Sequence, residues 1–158
     1  MKYGVMLTVS AGMLAWALPA AAQDAAVEAP IKTFIDSFNK GDVAGAMATH
    51  VSTGATIVDE VAPFVWSGPK SFADWGASYD VDAKAKGITD PSVTVGAPTR
   101  ELVSGDHAYV IVPSVYSFKQ KGVAMREAAQ MTFVLVKTPG GWKIASWTWT
   151  GPDPAPVK

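Results

Sequence analysis

The chain is 158 residues long and 49% hydrophobic, with 13 basic against 14 acidic side chains and a formal charge of −1. Its lysines and arginines are scattered rather than striped, which leaves no electrostatic footprint for nucleic acid. The absence of cysteine excludes disulfides, thiolate catalysis and cysteine-ligated metals.

Lys2, an apolar run over 5–18 and Pro19-Ala20-Ala21-Ala22 form the pattern of a secretory signal peptide cleaved after Ala22. That run is too short, and too soon followed by small residues, to anchor in a membrane. The sequence therefore divides into a signal peptide over 1–22, one domain over 23–150 and a Pro-rich tail over 151–158. The tail is expected to be stiff and unpacked. The expectation is a periplasmic or secreted protein with no membrane span after cleavage.

In the domain, Val27, Ile31, Phe34, Ile35 and Phe38 form one stripe of an amphipathic helix over 25–39, with Pro30 near its start. Asn39-Lys40-Gly41-Asp42 supplies a glycine stop and an aspartate cap, so a short second helix over 43–50 packs back on the first. A short strand over 55–61 follows. Pro63 and Ser67-Gly68-Pro69 end that region, and a third helix places Phe72, Trp75 and Tyr79 on one side before Gly87. Strands are expected over 91–103, 108–120 and 124–137, with Pro113 marking a bulge or break in the second.

A hairpin completes the domain over 130–150, turning at Thr138-Pro139-Gly140-Gly141. With Lys137 opposite Trp142, unbroken alternation pairs Phe133 with Ser146, Met131 with Thr148 and Thr132 with Trp147. Ser146 and Thr148 then share the concave face with Phe133. Trp147 and Trp149 join Tyr109, Ile111, Val115 and Val134 on the convex face. So large an apolar face is rare on a monomer, and a homodimer packed sheet to sheet is expected. The order α-α-β-α-β-β-β-β describes an α+β fold, three N-terminal helices on a curved, mostly antiparallel sheet with a conical cavity between them.

FNKGD at 38–42, ATIVD at 55–59 with the later Ser67-Gly68, and GGWKIASWTWTG at 140–151, taken in this order, resemble the nuclear transport factor 2-like superfamily. That superfamily has a cystatin-like cone and includes ketosteroid isomerase and the SnoaL-like polyketide cyclases. The resemblance implies the fold, and a dimer, more firmly than a reaction. Its isomerase members imply an aspartate general base at the position of Asp59. They also imply two hydrogen-bond donors to an enolate oxygen, at positions that correspond to Phe34 and Phe133. Neither phenylalanine can donate, and removing one such donor lowers a rate by about a hundred- to a thousand-fold. Tyr116, on the concave face by strand alternation, is the one candidate replacement.

The candidate site residues are accordingly Asp59 as base and Tyr116 as donor, with Phe34, Trp66, Trp75, Tyr79, Phe133, Ser146 and Thr148 lining a ligand cavity. Each has a plainer reading. Asp59 can be a solvated strand-end carboxylate whose neighbour Glu60 points the other way, and the aromatic residues can be ordinary core. His50 reads as a helix-end residue and His107 as solvated. These two histidines lack ligand spacing, so neither a metal nor another cofactor is expected. No Gly-x-Ser-x-Gly elbow supports serine hydrolysis. Three functions stay open: a binder of a small hydrophobic or aromatic molecule, an isomerase, cyclase or dehydratase using Asp59, and a structural dimer with a filled interior.

Overall fold

The computed structural model describes residues 24–158, so the signal peptide expected over 1–22 lies outside the described residues. Helix α1 (Ala25–Lys40) starts at Asp24, whose side chain accepts from the Ala26 N–H at 2.9 Å. It ends at Gly41, whose φ of +66° favours glycine. Asp42 then caps α2 (Val43–Ala48) by accepting from the Gly45 N–H at 2.9 Å. This is the tight helix pair expected from the turn sequence. Val27, Ile31, Phe34 and Ile35 are buried and point at the sheet.

The sheet runs β2 (Val65–Trp66), β1 (Thr56–Val58), β7 (Gly141–Thr150), β6 (Val123–Thr138), β5 (His107–Gln120), β3 (Ile88–Val95). β4 (Arg100–Ser104) and β8 (Ala155–Pro156) pair with β5 and β6. Only the β1–β7 pairing is parallel among these strands. Helix α3 (Ser71–Lys86) connects β2 to β3 and stops at Gly87, with φ +67°. Three helices on a mostly antiparallel sheet is the architecture expected, but the element order is richer at three points.

First, the strand expected over 91–103 is two strands. β3 pairs with the far half of β5 and β4 with its near half. Pro113 sits where β5 changes partner, and its carbonyl accepts from the Gly96 N–H at 2.9 Å. The N–H that Pro113 lacks faces the same edge, so the ladder from β5 to β6 runs unbroken through it. Second, the short strand β2 forms a hairpin with β1. Third, the tail does not stay free: β8 pairs Met125 with Pro156 and Arg126 with Ala155, covering the part of β6 that β7 does not reach.

The register of the last hairpin differs from expectation in one residue. Lys137 lies opposite Trp142 as the turn dictates, but the ladder shifts between Leu135, paired with Ile144, and Val134, paired with Ser146. Ala145 is the extra residue of a bulge. Beyond it Phe133 pairs with Trp147, Met131 with Trp149 and Thr132 with Thr148. A slip of one residue moves every later side chain to the other face. Trp147 and Trp149 therefore turn inward, and Ser146 and Thr148 join Tyr109, Ile111, Val115 and Val134 outside. Trp147 becomes core, with ring centroids 5.7 Å from Phe34 and 5.0 Å from Trp75.

Candidate functional site

A cavity of about 360 Å³ lies between α1, α3 and the concave face of the sheet. Phe34 and Phe38 come to it from α1, Trp75 and Tyr79 from α3, and Met131, Trp147 and Trp149 from β6 and β7. The aromatic rings support one another edge to face and tilted, Phe38 against Trp75 and Tyr79 at 6.3 and 5.6 Å. Such contacts hold the rings in place and leave the walls stiff.

Asp59 follows the last residue of β1 and faces this space. Its N–H donates to the Phe64 carbonyl at 3.1 Å, which fixes the backbone. Oδ2 accepts from Trp75 Nε1 at 2.6 Å and Oδ1 from the Glu60 N–H at 2.7 Å. Burial raises the Asp59 pKa above the usual carboxylate value, and these two donors offset only part of that rise. Across the cavity the Tyr79 and Tyr116 hydroxyls are 2.8 Å apart, and Tyr116 stacks on Phe118 at 4.6 Å. Burial pushes both phenols up, so both remain protonated donors.

A carboxyl pair, Glu60 with Glu127, was not visible in the sequence. Glu127 on β6 is 1% exposed and its Oε1 accepts from Trp149 Nε1 at 2.7 Å. Oε2 meets no N–H or hydroxyl donor. Glu127 shares a hydrogen bond with Glu60, which needs one proton between the two carboxyls. Much of Glu60 is open to solvent, yet loss of water around its carboxyl, followed by the charges of Glu127 and Asp59, pushes its pKa up to about 7. The Glu127 pKa is also raised, chiefly by burial. Gly151 abuts this carboxyl: a Cβ there would lie 1.9 Å from Oε1.

Of the residues singled out from the sequence, Asp59, Tyr116, Phe34, Trp75 and Tyr79 meet at the cavity. Trp66 and Phe133 are buried in the core and take no part in its lining. Ser146 and Thr148 leave it because of the Ala145 bulge, which brings Trp147 and Trp149 in. Glu60 points inward because β1 has already ended at Val58, so strand alternation no longer governs it. Glu127 did carry a signal: it has the same parity as Met131, Phe133 and Leu135, the buried side of β6.

His50 lies outside the cavity. Its Nδ1 is 3.0 Å from the Ala46 carbonyl, and Nε2 is 3.2 Å from Trp147 Nε1. Donating at one nitrogen and accepting at the other requires the neutral ring, and burial lowers its pKa to about 4. His107 is exposed at the start of β5. Among the described residues no group of three or more His, Cys, Asp or Glu is arranged to hold a metal ion, and no helix is long and apolar enough to cross a membrane.

Residues 27–150 match the model of the SnoaL-like domain. Among solved structures, a ketosteroid isomerase-like protein from Erwinia carotovora atroseptica is 21% identical at a TM-score of 0.63, over 82% of this chain and 96% of that one. The hexachlorocyclohexane dehydrochlorinase LinA is 15% identical at a TM-score of 0.70, over 85% of this chain and 88% of that one. A nuclear transport factor 2-like protein from Salmonella enterica is 16% identical at a TM-score of 0.65, over 80% and 88%. No curated protein sequence gives a significant match. Identities this low carry the fold and not the chemistry. The chain belongs to the SnoaL-like domain family, within the nuclear transport factor 2-like superfamily.

Proposed function

We propose that the chain is an exported protein that binds a small hydrophobic or aromatic molecule in this cavity, with Asp59 and the Tyr79–Tyr116 pair as polar anchors. The observation that carries the reading is the cavity of about 360 Å³, walled by aromatic rings with a few convergent polar groups, the usual make-up of a small-molecule site. The interior is not plugged, because Phe133 is withdrawn into the core beside Trp147. Export rests on the leader pattern of residues 1–22, and a homodimer on the outer face that keeps Tyr109, Ile111, Val115 and Val134.

A thermal-shift screen of small aromatic compounds tests binding, since a ligand held by the native state alone raises the melting temperature. Hits should stabilise the natural chain and not the cavity-filled variant Met131→Trp. Compounds that stabilise both equally bind elsewhere and contradict the reading.

A second reading is favoured by the juxtaposition of Asp59, whose pKa is raised, with Glu60, whose pKa is about 7. Here the ionised Asp59 removes a proton from a carbon next to a carbonyl, and the protonated Glu60–Glu127 pair donates to the oxygen or leaving group. Groups with pKa values near the working pH are suited to such transfers. In that case Asp59→Asn abolishes turnover while leaving affinity nearly unchanged; in the binding reading it only weakens affinity.

A further inference from the structure

We propose that the cavity selects an organic cation, an arylalkylamine whose ammonium group is held by Glu60 with Glu127 behind it and whose ring lies among Trp75, Tyr79 and Trp149. The inference rests on the ligand-binding reading and adds the charge of the ligand.

The charges around the cavity do not balance. Asp59, Glu60, Asp82 and Asp153 line it against a single cation, Lys86. Lys86 is already bonded to Asp82 at 2.8 Å, which removes both from the account. Asp59 has its two donors from Trp75 and the Glu60 backbone. The Tyr79 and Tyr116 hydroxyls are engaged with each other. Glu60 and Glu127 are left without a cationic partner, holding one proton between them, and Glu127 Oε2, buried in a side chain that is 1% exposed, meets no N–H donor. An unmatched buried carboxylate is costly. An ammonium group brings both the charge and the N–H donors that this end of the cavity lacks.

The opposite ligand charges fit worse. An anion would meet a surplus of carboxylates, and a neutral ring would leave the Glu60–Glu127 pair as it stands. The aromatic walls add a face-on attraction for a cation that neither alternative receives.

The pairing also fixes a proton balance. Asp59 at the end of β1, Tyr79, Asp82 and Lys86 on α3, Tyr116 on β5, Glu127 on β6 and Asp153 in the tail are the titratable groups around Glu60. With its carboxyl titrating near 7, the pair retains a proton at neutral pH, and a bound ammonium takes that proton's place. Affinity therefore rises with pH between 6 and 8, because the competing proton is lost while the amine, with an ordinary pKa near 10, stays charged.

The test uses the mature chain and three probes of one shape: tryptamine, its neutral counterpart tryptophol and the anion indoleacetate, titrated by calorimetry at pH 6 and pH 8. At pH 8 we expect tryptamine to bind about ten-fold more tightly than tryptophol, with indoleacetate weakest. We expect the tryptamine advantage to shrink to about three-fold or less at pH 6. Glu60→Gln should remove the advantage at both pH values without weakening tryptophol, and Glu127→Gln should do the same if one variant folds poorly. Tryptophol or indoleacetate binding as tightly as tryptamine overturns the inference while leaving a binding cavity in place. Failure of all three probes to bind overturns the binding reading and this inference together.

Discussion

Trp149 Nε1 and Glu127 Oε1 lie 2.7 Å apart, joining an indole on β7 to an otherwise buried carboxylate on β6. That bond is the one side-chain N–H that Glu127 receives among the described residues, beside the proton it shares with Glu60. Trp149→Phe keeps the ring and removes the N–H. Hydrogen bonds to charged groups contribute about 1.5–3 kcal/mol, so we expect a loss of that order in urea unfolding at pH 8, shrinking at pH 5, where the proton held by Glu60 with a pKa of about 7 lowers the charge on the Glu60–Glu127 pair. An equal loss at both pH values would mean that the ring packing, and not the bond, is what matters.

Acid should act on this protein in two opposed ways. Glu60 titrates near 7 in the native chain against an ordinary 4.5. The native state thus holds its proton more tightly than the unfolded chain, and lowering the pH through that window stabilises the fold. His50 has the reverse sign, with a native value of about 4 against 6.5. Lowering the pH from 6.5 to 4 therefore removes stability, on the order of 3 kcal/mol for a shift of this size in a buried ring. We expect Glu60→Gln to steepen the acid loss between pH 6.5 and 4.5 and to raise stability at pH 8, where the carboxylate repulsion is relieved. Denaturation curves across this range for both chains decide it, and parallel profiles would refute the assignment.

Gly151 should be intolerant of any side chain. Its backbone conformation is not the obstacle; the Glu127 carboxyl and the Ala129 methyl, 1.9 and 2.8 Å from an added Cβ, are. Overpacking of this kind costs about 1–3 kcal/mol, which is what we expect for Gly151→Ala. Combining it with Glu127→Ala, which vacates the space, should give less than the sum of the two single losses. Strict additivity would show that the two sites do not compete for the same volume.

The proposed dimer can be checked by light scattering of residues 23–158 at micromolar concentration. We expect a dimer, and a monomer after Val134→Asp on the outer face. A monomeric natural chain would remove the dimer from the account.

Much of the architecture was legible because it is written in local chemistry. Asp42 and the glycines at 41 and 87 mark helix ends, and the Thr138–Gly141 turn fixes the Lys137–Trp142 pair. The bulge at Ala145 was not legible, since alanine gives no sign of it and only packing selects it. That one residue decides whether Trp147 and Trp149 or Ser146 and Thr148 face the cavity. The Glu60–Glu127 pair joins residues distant in sequence through the β-sheet, and no local pattern encodes such a meeting. The tail became strand β8 for a similar reason, because a bare stretch of β6 edge exists only in the folded sheet.

The most direct test of a ligand-holding cavity is a native mass spectrum of the protein purified from its own host. We expect a small-molecule mass of one copy per chain on the natural protein, absent from Met131→Trp and lost on denaturation. A natural chain at its bare mass, matching the variant even when purified gently at pH 8, would contradict the account.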